Sequence, residues 1–69
     1  MTHHVVFLVH EPGRKTREVK RWAEVLEMAR ESGWMASATQ IRYDEHGNEI
    51  DLIDVLPSQI EDDFTERAR

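Results

Sequence analysis

Residues 3–33 read HHVVFLVHEPGRKTREVKRWAEVLEMARESG, and the point at which this stretch turns from strand to helix decides the fold. The first eight residues are rich in β-branched and aromatic side chains, and Glu11-Pro12-Gly13 supplies the turn that ends them, which predicts a first strand over 3–10. Val5, Phe7 and Val9 on one side of that strand and Val6 and Leu8 on the other are all apolar, so both of its faces need cover. Thr16 then reads as the N-cap of a helix running to about Ser32, with Gly33 as the left-handed residue that terminates it. Projected at about 100° per residue, Val19, Trp22, Ala23, Leu26 and Ala29 form one stripe with Val25 on its flank. The stripe is expected to pack on a sheet with Trp22 buried. Met28 falls opposite, among Lys20, Arg21, Glu24 and Glu31, and is expected to be exposed.

Downstream, Trp34 to Tyr43 has a strand-compatible alternation, and Asp44-Glu45-His46-Gly47-Asn48 reads as a hairpin loop with Gly47 in the left-handed position. The third strand, residues 49–56, reads EIDLIDVL, with Ile50 and Leu52 on one side and Ile53 and Val55 on the other. So apolar a strand is expected at the centre of the sheet. Pro57 ends it, and Ser58-Gln59-Ile60-Glu61 matches a capping box that opens a short C-terminal helix. Asp62 and Asp63 lie near the positive end of that helix, Arg67 and Arg69 near its negative end, and Ile60 and Phe64 make a small apolar stripe. A helix this short frays alone and must dock.

These elements describe a single α+β domain over residues 1–69, β-α-β-β-α, with a three-stranded, mostly antiparallel sheet, one long helix packed on it and a short C-terminal helix. A strand-helix-strand unit with short loops sets the first two strands parallel and leaves room for the third between them, which favours the order 1-3-2. The alternative order places the first two strands adjacent and parallel. In either order one sheet face is left for the terminal helix, a twin subunit or a partner.

Sixty-nine residues enclose one modest core, worth about 3–5 kcal/mol at this size. Self-association is one way to supplement it, so a homodimer is among the expected states. The chain has no cysteine, which removes disulfides, thiol catalysis and thiolate zinc sites and points to a cytoplasmic protein. The apolar run Val5–Val9 is too short for a signal peptide or a membrane span. Charge is uneven: residues 1–43 carry seven Lys/Arg against five Asp/Glu, and residues 44–69 carry two against nine. The acidic second half attracts basic partners and disfavours nucleic acid and anionic lipid.

Between the first strand and the helix, His10 to Thr16 superficially resembles a phosphate-cradling loop. The required first glycine is Leu8 here, and Arg14 stands where the lysine after the second glycine belongs, so nucleotide hydrolysis is not expected. Arg14, Lys15, Arg17, Lys20 and Arg21 remain an alternative anion-binding segment beside a helix N-terminus. His4 and His10 share a strand face but lie about 20 Å apart at 3.3 Å per residue, too far for one ion. Third-position His3 chelating copper or nickel with the amino terminus is chemically generic, and no metal or cofactor is assigned. Asp44, Glu45, Glu49, Asp51, Asp54, Glu61, Asp62, Asp63 and Glu66 are accompanied by no nucleophile or oxyanion motif, so an enzyme is the least favoured class. Those nine carboxylates and Trp34 are the expected partner-binding residues. The function they point to is a non-catalytic protein-binding module, an acidic inhibitor of the phosphate-mimicking, phage-encoded kind, directed at a basic or nucleic-acid-binding protein. Nucleic-acid binding through the basic 14–21 segment, or a homo-oligomer built on the apolar first strand, is the alternative.

Overall fold

The computed structural model describes residues 4–68. Its elements run β1 (His4–His10), β2 (Arg17–Val19), α1 (Trp22–Glu31), β3 (Ser37–Tyr43), β4 (Glu49–Val55) and α2 (Pro57–Arg67). The domain is α+β, with an antiparallel sheet of four strands in the order β2-β1-β3-β4 and both helices on one face.

The expected helix start is where sequence and structure part. Arg17, Glu18 and Val19 form a strand that pairs with β1, Val19 opposite Phe7 and Arg17 opposite Val9. Val19 therefore reaches the core side of the sheet from a strand rather than from a helix. The helix begins later, at Trp22, with Arg21 extended at φ −120° and no side-chain cap. The Thr16 hydroxyl, expected to cap it, instead meets His10 Nδ1 at 3.0 Å.

Strand order follows from that correction. Because β2 reverses the chain before the helix, the strand-helix-strand unit is β2-α1-β3, and β1 sits between those two strands, antiparallel to both. Strands β1 and β3 are thus adjacent, as in the alternative order, but antiparallel rather than parallel, and the favoured order with β4 between them does not form. The strand expected at the centre, β4, pairs among the described residues only with β3 and forms an edge.

The core is one cluster of Phe7, Val9, Val25, Leu26, Ala29, Ala36, Ala38 and Ile60 between sheet and helices. Extents of 36 × 31 × 15 Å over the Cα atoms describe a slab of two layers. Widening of the sheet by β2 also changes which side of α1 is covered: Met28, expected to be exposed, is half-buried against the core, while Ala23 is exposed. Trp22 is half-buried rather than buried, its ring 5.4 Å from that of Phe7.

The chain leaves α1 through two successive left-handed residues, Gly33 at φ 72° and Trp34 at φ 65°. The Trp34 amide donates to the Ala29 carbonyl at 2.8 Å, which satisfies an orphan of the last helical turn. A left-handed tryptophan costs about 1–2 kcal/mol, and its indole packing on Phe64 at 5.0 Å offsets that cost. At the other end of β4, Leu56 is the N-cap of α2 and Pro57 its first residue, where a missing N–H costs nothing. The Gln59 carboxamide accepts the Leu56 amide at 2.8 Å, so Ser58 lies inside the first turn and the expected Ser58–Glu61 box does not form. At 11 residues α2 is no shorter than the 10-residue α1. The expected contribution of Arg69 and the expected amino-terminal chelate of His3 lie outside the described residues. No helix among the described residues is long and apolar enough to cross a membrane.

Candidate functional site on the uncovered sheet face

Alternation along the strands sends Val5, Phe7 and Val9 to the helices and His4, Val6, Leu8 and His10 to the opposite face. Register extends that face across the sheet. Val6 stands opposite Ile41 and Ile41 opposite Leu52, an apolar row over three strands. The adjacent row runs Glu18, Leu8, Thr39, Asp54, and the next couples His4 and Tyr43 with Glu49. Ile41 is buried although it lies outside the core cluster, because Val6 and Leu52 flank it. No helix among the described residues covers this face.

Its charges are one-sided. The strand acids Glu18, Glu49 and Asp54 point to it, whereas the strand cations Arg17 and Arg42 lie opposite Val9 and Val5, on the helix side. What results is an apolar centre with an acidic rim and two histidines.

A polar chain ties the strands together here. Thr39 Oγ1 donates to Asp54 Oδ1 at 3.0 Å and therefore accepts from His10 Nε2, also at 3.0 Å. In the neutral ring Nδ1 is then the acceptor for the Thr16 hydroxyl at 3.0 Å. The chain fixes the orientation of His10 and links the β1–β2 turn to β1, β3 and β4. Sequence could not show it, since Thr16, Thr39 and Asp54 carry no common motif and meet only through the register. Thr39→Val keeps the β-branched shape and removes the relay. The expected result is a loss of about 1 kcal/mol in urea unfolding, with the His10 ring nitrogens no longer held in one tautomer by NMR. An unchanged tautomer population would show that the chain does not order the ring.

The nine carboxylates expected to act together do not form one surface. Four are engaged within the domain. Asp44 Oδ1 accepts the amides of His46 and Asn48, both at 2.9 Å, closing the hairpin turn around Gly47 at φ 83°. The Asn48 amide above all, with His46, holds the Asp44 carboxyl below its usual range. Asp51 is paired with Arg42, and Asp54 accepts from Thr39. Asp63 accepts Trp22 Nε1–H at 2.6 Å and Arg67 Nε–H at 2.7 Å, and those two hydrogen bonds, Trp22 first, lower its pKa. Glu61, Asp62 and Glu66 are exposed on α2, across the slab from the open face. Glu45, beside His46 at 3.6 Å, and Glu49 mark the hairpin end of β4. Trp34 is committed to Phe64.

The chain matches no protein-family model, no curated protein and no solved structure. Function is therefore argued from the surface itself. Of the basic segment, Arg14 and Lys15 lie in the β1–β2 turn, Arg17 is in β2, and Lys20 and Arg21 immediately precede α1, with Glu18 and Glu24 among them. The N-cap of the helix expected to join Arg14 and Lys15 in an anion cradle is Arg21 rather than Thr16, five residues further along the chain. Among the described residues no three His, Asp or Glu side chains are grouped to hold a metal ion.

Sequence reasoning expects one sheet face to be left open but does not show which residues line it: only the order β1-β3-β4 makes Val6, Ile41 and Leu52 neighbours.

Proposed function

We propose that this domain is a non-catalytic protein-binding module that presents the uncovered sheet face to a protein with a basic, partly apolar surface. The observation that carries the reading is the Val6–Ile41–Leu52 row, left without a covering layer and bordered only by acids among the charged strand residues. Apolar area of this kind on a small domain is the centre of a contact, and the rim selects the partner by charge. Glu18 and Glu49, with the Oδ2 that Asp54 keeps beside its bond to Thr39, offer carboxylate oxygens to cations that otherwise meet phosphate, which is the chemistry by which an acidic domain inhibits a nucleic-acid-binding protein. The same acids repel nucleic acid from this face.

Immobilised domain challenged with cell extract at about 50 mM and about 500 mM salt tests this reading. Retained basic proteins that are released at the higher salt, and are not retained by a Leu8→Lys/Glu18→Lys variant with an unchanged circular dichroism spectrum, are the expected result. Both substitutions lie on the open face away from β4. Retention that ignores them, or that is equal at both salts, would place the contact elsewhere.

A further inference from the structure

The two edges of the sheet are built differently. At one end, β2 is three residues long and carries Arg17 and Glu18, with Lys20 beyond it, the short, charged form that natural edge strands take to avoid pairing. At the other end, β4 has seven residues with no lysine, arginine or proline among them; its charges are the acids Glu49, Asp51 and Asp54, and its bulge at Ile50 leaves 51–55 regular. Its side chains are exposed on both faces of the sheet: Leu52 is 54% exposed on the open side and Ile53 48% on the helix side. Leu56, which continues the strand, is 58% exposed. α2 turns away over β3 and α1, leaving the far edge of β4 uncovered.

A partner lying only on the open face would leave Ile53 in water. A strand added at the edge covers both faces and satisfies the unpaired backbone groups as well.

We infer that the strand added to β4 is the β4 of a second copy, running antiparallel about a two-fold axis at Leu52 or Ile53. In a two-fold pair residues directly opposite must point to the same side, so the axis falls on a residue. An axis at Asp51 or at Asp54 sets like charges against each other, at a cost. An axis at Leu52 sets Leu52 against Leu52 and Asp51 against Ile53. An axis at Ile53 sets Ile53 against Ile53, Leu52 against Asp54 and Asp51 against Val55, and uses only the regular residues beyond the bulge at Ile50. Neither opposes two acids. Of the three acids of β4, Asp51 is engaged by Arg42 and Asp54 by Thr39, and Glu49 lies beyond the bulge, opposite Val55 with the axis at Leu52, so self-pairing sets no two carboxylates opposite each other. The product is an eight-stranded sheet in which two open faces become one.

This dimer goes beyond the partner-binding reading and stands without it. Sedimentation of the full chain up to about 100 µM gives the test. A species of twice the monomer mass is expected, with Leu52→Lys/Ile53→Lys dissociating it at least about 10-fold more readily while its circular dichroism spectrum is retained. Because the chain has no cysteine, a single introduced one reports the register. Mild oxidation is expected to cross-link Leu52→Cys or Ile53→Cys and not Glu18→Cys on β2. A monomer at every concentration, a dimer indifferent to the double substitution, or faster cross-linking at β2 would overturn the inference. Those outcomes leave the capture experiment with Leu8→Lys/Glu18→Lys unaffected.

Discussion

Ile60→Ala is expected to leave the chain largely unfolded at 25 °C. Ile60 is fully buried, with Val9 and Val25 the other large side chains at 0% exposure, and it is the residue through which α2 enters the core. Truncating a buried isoleucine to alanine costs about 2–5 kcal/mol, the transfer of three carbons together with the void they leave. A domain of this size has about 3–5 kcal/mol in all, so the loss is of the same order as the whole. Three of the eight residues of its core cluster, Ala29, Ala36 and Ala38, have no long side chains with which to fill the void. Ile60→Val removes one methylene for about 0.5–1.5 kcal/mol and keeps the fold with a lowered midpoint. Leu56→Ala, four residues earlier but 58% exposed, is expected to move stability by no more than about 0.5 kcal/mol. Urea titration followed by circular dichroism at 222 nm, the α-helix band, ranks the three. If Ile60→Ala unfolds with the wild-type midpoint, α2 does not hold the core closed.

The same comparison shows why sequence revealed α2 more readily than β2. Ile60 and Phe64 lie four apart after a proline, and that spacing identifies a helix face wherever the helix docks. Val25, Leu26 and Ala29 identified the α1 face for the same reason, and Gly47 the hairpin. Arg17-Glu18-Val19 is too short to distinguish a period of 2 from one of 3.6. Val19 also extends the stripe of α1 when the helix is read backward, and Thr16 resembles a cap. What makes the segment a strand is Phe7, twelve residues earlier, which Val19 faces across the hairpin. Composition misleads at β4 for a different reason: its isoleucines and leucine point to a strand at the centre of the sheet, whereas topology puts it at an edge and leaves them in water. The acids likewise could be counted but not assigned. Whether Asp44 or Glu49 is available to a partner depends on amides and hydroxyls that only the folded chain brings near.

Asp63 is the clearest of these cases, and its removal is the second large effect expected. One carboxylate oxygen accepts both Trp22 Nε1–H from the start of α1 and Arg67 Nε–H from the last turn of α2. It fastens the start of α1 to the last turns of α2. Hydrogen bonds to a charged acceptor contribute about 1.5–3 kcal/mol, and partial exposure brings the expectation for Asp63→Ala down to about 1–2 kcal/mol. Trp22→Phe keeps an aromatic ring on Phe7 and removes only the donor, so its cost through Asp63 is expected to be non-additive with that of Asp63→Ala by about 1 kcal/mol. Arg67→Ala, which removes an exposed i,i+4 partner, is expected to cost less than about 0.5 kcal/mol. Acid provides a separate test. The folded domain holds the Asp63 carboxyl below its ordinary value of 3.8, so between the folded and unfolded values the unfolded chain binds the additional proton. The stabilisation is therefore complete above the ordinary aspartate range and disappears as pH falls through the lower, folded value. Wild type and Asp63→Ala should differ in stability by a constant amount from neutral pH down to about pH 5 and converge below about pH 4. Asp44, whose pKa is also lowered, is present in both proteins alike, so the difference isolates Asp63. A gap between the two proteins that stays open at low pH would mean that Asp63 acts through packing rather than through its charge.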